Sequence, residues 1–92
     1  MIKVTFTIDK PSDWLRENLE DLAISLDKNL RKRNQGTAKG EFKDKFFIIK
    51  VYGCSMDILK SYIDAFERSE RRGEQRFIVN IDEFYDNDDP AG

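Results

Sequence analysis

The chain has 92 residues, 39% hydrophobic, 12% aromatic and 37% charged, with sixteen Lys and Arg against eighteen Asp and Glu, and no His. That length is one domain burying roughly 65% of its unfolded surface, enough to fold without disulfides. The composition excludes a disordered chain outside the ends, and no apolar run approaches the roughly 20 residues that cross a bilayer.

The formal charge of −2 is unevenly spread. Asp82, Glu83, Asp86, Asp88 and Asp89 all follow the last base, Arg76, so residues 1–81 carry +3 and the end −5. The single cysteine, Cys54, has no intramolecular partner, and strand pattern begins at once without a charged-then-apolar leader. These features read as a soluble cytoplasmic protein with no targeting peptide, residing in the host cytoplasm if phage-encoded.

"IKVTFTID" alternates, with Ile2, Val4, Phe6 and Ile8 on one side and Lys3, Thr5, Thr7 and Asp9 on the other. It predicts a strand with one wet face. The period then changes. Leu15, Leu19, Leu22, Leu26 and Leu30 form a helical stripe, introduced by Pro11 and Ser12 and closed by Arg31 to Arg33. Trp14 lies beside the stripe and is expected to plug a core edge, whereas Ile24 lies opposite it and is expected in solvent.

"NQGTAKG" reads as a loop, and a strand is expected from about Glu41 to Tyr52. That strand is apolar on both sides. Phe47, Ile49 and Val51 point one way, and Phe46, Ile48, Lys50 and Tyr52 the other. A second helix from Ser55 carries Met56, Leu59, Tyr62, Ile63 and Phe66 on one stripe and stops at Gly73. "QRFIVNIDEF" then sends Phe77, Val79 and Ile81 inward and Arg76, Ile78, Asn80 and Asp82 outward. The reading is a single compact domain over residues 1–85 and an acidic disordered tail over 86–92.

The order β-α-β-α-β, with crossover-length connections, predicts an α/β two-layer sandwich: a three-stranded, mainly parallel sheet with two helices on one face. The other face then exposes Phe46, Ile48, Lys50, Tyr52 and Ile78. Several large apolar side chains exposed together mark a contact surface for a partner or a second copy, that is, a homodimer.

The chemistry-bearing residues are sparse. Cys54 lies where a strand hands over to a helix, and its spacing to Lys60 faintly parallels the cysteine, five residues, arginine loop of tyrosine phosphatases. It departs from that loop in having Lys for Arg, no glycine in "SMDIL", and Asp57 where it would repel phosphate. A structural cysteine is the expectation. Without His, acid and base work would need a strongly shifted carboxylate, lysine or thiol. Asp9, Asp82 and Glu83 are expected at one edge, but they match no calcium loop, so neither metal nor other cofactor is expected.

In the parallel topology the bases Arg31, Lys32, Arg33, Lys39, Lys43, Lys45, Arg68, Arg71, Arg72 and Arg76 share one end. Such an end could grip phosphates, and an open sheet bearing aromatics loosely resembles RNA-recognition sheets, although their aromatic-glycine signature is absent. The ranked expectation is a non-enzymatic protein-binding module that docks by a surface, of the kind a phage uses to inhibit a host defence or nucleoprotein complex. The alternative is a nucleic-acid-binding domain using Arg31, Lys32, Arg33, Lys39, Lys43, Lys45, Arg71 and Arg72 with the sheet; a thiol- or metal-dependent enzyme comes third.

Overall fold

A computed structural model describes residues 1–10, 12–71 and 77–84. The elements run β1 (Ile2–Ile8), α1 (Asp13–Lys32), β2 (Thr37–Lys43), β3 (Phe46–Tyr52), α2 (Met56–Arg71) and β4 (Phe77–Glu83). The strands form one four-stranded sheet in the order β2, β3, β1, β4, and every neighbouring pair is antiparallel. This β-α-β-β-α-β order is the split β-α-β arrangement.

The expected three-stranded, mainly parallel sheet is therefore overturned. Each helix does join two parallel strands, but the two are not adjacent: β3 fills the slot between β1 and β2, and β1 fills the slot between β3 and β4. The missing strand lies in the stretch expected to be a loop, and the expected strand from Glu41 to Tyr52 is in fact a hairpin. Lys43 pairs with Phe46 across a turn at Asp44 and Lys45, where Asp44 adopts φ 55°. Asp tolerates that left-handed conformation better than most residues.

Local chemistry fixes the helices. Ser12 Oγ accepts the Leu15 N–H at 3.1 Å, capping α1. At its other end Asn34 takes φ 56°, its N–H reaching Arg31 O at 3.1 Å while the Gln35 N–H reaches Leu30 O at 2.8 Å. That pair of bonds is a Schellman closure with Asn in the usual glycine place. Ser55 caps α2, its Oγ accepting the Ile58 N–H at 3.3 Å.

One face of the sheet carries the core. Val4, Phe6, Phe47, Ile49 and Val51 are buried with Leu15, Leu19, Leu26 and Leu30 of α1 and Leu59 and Ile63 of α2. Ala23 belongs to that set, whereas Leu22 is half-buried. Trp14 plugs nothing: it is 52% exposed, because the stripe that α1 buries does not include it. Ile24 is exposed. Tyr85 and the expected tail over 86–92 lie outside the described residues.

Candidate functional site: the uncovered sheet face

The strand faces opposite the helices are covered by no element among the described residues, and the register sets their side chains in rows across the strands. Lys43, Phe46, Thr7 and Ile78 make the row nearest the β2–β3 turn. Next come Glu41, Ile48, Thr5 and Asn80, then Lys39, Lys50, Lys3 and Asp82. Thr37 and Tyr52 continue into Met1 and Phe84, which exchange both backbone hydrogen bonds at 3.0 and 2.8 Å.

The five residues expected to form an interface all lie on this face, but not as one apolar patch. Thr7 separates Phe46 from Ile78, because β1 lies between β3 and β4. The lysine row separates Ile48 from Tyr52. Ile78 is 64% exposed and Tyr52 48%, whereas Phe46 and Ile48 are half-buried, and Lys45 Nζ stands 5.8 Å from the Phe46 ring centroid. Phe84, 46% exposed, joins Tyr52 at the far end.

Lys3 and Phe84 are the members that sequence reasoning missed. Lys3 alternates outward in "IKVTFTID", but its place opposite Lys50 depends on β1 pairing with β3, which the sequence pattern does not reveal. Like charges directly opposite on neighbouring strands repel. Here three stand in line, Lys39, Lys50 and Lys3, with Asp82 at one end.

The expected basic end is divided by the same topology. β2 starts beside the C-terminus of α1, so Arg31, Lys32 and Arg33 lie near Thr37, while Lys43 and Lys45 lie at the opposite end, where Ile8 N–H donates to Lys45 O at 2.9 Å. The C-terminal half of α2 reaches that second end, since Phe66 packs on Phe6 and Phe77 with ring centroids 5.7 and 5.8 Å apart. Lys39 belongs to neither end but to the middle of the open face. The Arg71 side chain, Arg72 and Arg76 lie outside the described residues.

Antiparallel pairing likewise disperses the carboxylates expected to gather at one edge: Glu83 lies opposite Ile2, and Asp9 follows the other end of β1. Among the described residues no three His, Cys, Asp or Glu side chains come together as a metal site. Cys54 is half-buried, its Sγ donating to Ser55 O at 3.4 Å, and burial pushes its thiol above the ordinary range. Asp27 borders a groove between α1 and β2 lined also by Glu20, Ile24 and Phe42. Its carboxylate already accepts from Ala38 N and Arg31 Nε.

No protein family, no curated protein and no solved structure matches this chain. Among the described residues no helix is long and apolar enough to cross a membrane.

Proposed function

We propose that the protein is a small non-enzymatic binding module that works by docking its uncovered sheet face, and that the face takes an extended anionic ligand, single-stranded nucleic acid. The row Lys39, Lys50, Lys3 carries the reading. Three ammonium groups set side by side repel one another in the free protein, and a line of phosphates would relieve that repulsion. Beside the row stand the exposed rings of Tyr52 and Phe84, and exposed rings are stacking platforms for unpaired bases; Phe46, half-buried, lies beyond the Ile48 row on the other side. A duplex would offer phosphates but no free base faces.

A second reading, an acidic protein surface as the partner, is favoured by Ile78 and Ile48, whose apolar side chains have no role in stacking. Fluorescence anisotropy with labelled single strands and duplexes of mixed sequence separates the two. The expected result is tighter binding to the single strand, with the logarithm of affinity falling linearly with the logarithm of salt concentration. Absence of single-strand binding at low salt would remove the nucleic-acid reading and leave the protein one.

A further inference from the structure

We infer that the outer edge of β4 is a self-association edge, pairing antiparallel with β4 of a second copy to make one continuous eight-stranded sheet. β4 closes one side of the sheet, and among the described residues no strand pairs with its outer edge. Met1 and Phe84 exchange both backbone hydrogen bonds, so by antiparallel alternation Asp82, Asn80 and Ile78 bond to β1. The N–H and C=O groups of Phe77, Val79, Ile81 and Glu83 therefore point away from β1, towards the open edge.

That edge is thinly protected: its two charges, Asp82 and Glu83, sit together at one end of the strand. Its sequence, FIVNIDE, holds four large apolar residues in seven and no proline, glycine or lysine. The opposite edge is blunted along its length: Gly40 interrupts β2, Lys39, Glu41 and Lys43 charge it, and the Asp27 carboxylate caps the Ala38 N–H at 2.8 Å. The core is incomplete on the β4 side as well. Phe77, Val79 and Ile81 are half-buried, whereas the inward residues of β1, Ile2, Val4, Phe6 and Ile8, are at most 3% exposed. Apolar side chains arriving from a neighbouring strand would cover them.

The strand suits a copy of itself. A two-fold axis at Asn80 sets Val79 opposite Ile81 of the second copy and Phe77 opposite Glu83, so all four outward residues exchange both backbone bonds. Asp82 and Glu83 of the two copies then fall at opposite ends of the joint, facing Ile78 and Phe77 rather than each other. Asn80, an unfavourable strand residue amid aromatic and β-branched neighbours, meets Asn80 of the second copy, where the two amides can bond.

Sedimentation equilibrium on the full chain tests this. The wild type is expected to dimerise. Asn80→Lys, on the exposed face, should raise the dimer dissociation constant by about tenfold or more while leaving thermal melting of the monomer nearly unchanged, because like charges then meet at the axis. Val79→Pro, placed where the lost N–H faces outward, should abolish the dimer and retain the far-ultraviolet signature of the sheet; if it unfolds, Asn80→Lys decides. A wild type that stays monomeric at millimolar concentration overturns the inference. So does a dimer that Asn80→Lys leaves intact but Ile48→Asp dissolves, which would be held by the open face instead.

Discussion

The Asp27 carboxylate on α1 accepts the backbone N–H of Ala38 on β2 at 2.8 Å and also holds Arg31 Nε at 3.0 Å, tying the longest helix to the strand at the sheet's edge. The Ala38 bond, aided by the Arg31 guanidinium, lowers the carboxyl below its usual range against an opposing effect of burial. A lowered folded pKa means that folding favours the ionised form. Its contribution is complete above the unfolded carboxylate value of about 4 and is lost as the pH falls through the folded value. Denaturant midpoints should therefore drop on acidification more steeply in the wild type than in Asp27→Asn, and Asp27→Ala should cost about 1 kcal/mol at neutral pH. Equal acid sensitivity of wild type and Asp27→Asn would show that ionisation of Asp27 contributes nothing to stability.

Gly40 lies where α1 and the sheet approach closely. A Cβ there would stand 2.5 Å from Phe47 Cζ and 2.8 Å from Ala23 Cβ, and the Phe47 ring is buried and cannot swing clear. Gly40→Ala should destabilise by about 1–3 kcal/mol, the usual cost of overpacking, and Ala23→Gly in the same chain should recover part of the loss despite glycine's poor helix propensity. Chemical denaturation of the two single variants and the double decides it; strict additivity would mean that the residues do not clash.

Cys54 is expected to be a slow thiol. Burial raises its pKa, so little thiolate forms near neutral pH, and its Sγ donates to a carbonyl rather than meeting a base. Reaction with a disulfide reagent should be slower than for a free thiol at the same pH and should accelerate on unfolding. Cys54→Ser should leave binding by the sheet face within a few fold. Faster labelling than a free thiol would reverse the assignment.

What the sequence made legible was periodicity, and what it hid was pairing. The helical spacing of Leu15, Leu19, Leu26 and Leu30, and the alternation of Ile2, Val4, Phe6 and Ile8, correspond to buried faces. Nothing periodic marks β2, because Gly40 sits where a side chain would collide with Phe47, and Lys39, Glu41 and Lys43 face solvent. A strand at the edge of a sheet against a close-packed helix can spare its hydrophobic signal, so "TAKGEFK" reads as loop. Without that strand the pattern groups the basic residues at one end and gives no sign of the line formed by Lys39, Lys50 and Lys3, which exists only through the register.

That line can be tested one lysine at a time. If phosphates lie along it, replacing any one of Lys3, Lys39 or Lys50 by Ala should weaken single-strand binding uniformly across sequences and reduce the log–log salt slope by about 1, since one fewer counterion is displaced. Tyr52→Ala should behave differently, weakening binding by about 1–3 kcal/mol with an unchanged slope, because a stacked ring carries no charge. The Lys39, Lys50 and Tyr52 variants should melt like the wild type, as those side chains are exposed, while Lys3→Ala, at a half-buried position, should lower the melting temperature slightly. Ile48→Asp should weaken binding under either reading, since opposite Thr5 and Glu41, and next to the lysines, a carboxylate there would repel a phosphate chain and would cost desolvation against an apolar partner; the lysine slopes separate the two. Loss of oligonucleotide binding in Ile48→Asp together with slope changes in the lysine variants supports the nucleic-acid reading. Slopes that stay at the wild-type value in all three lysine variants would place the anion elsewhere on the molecule.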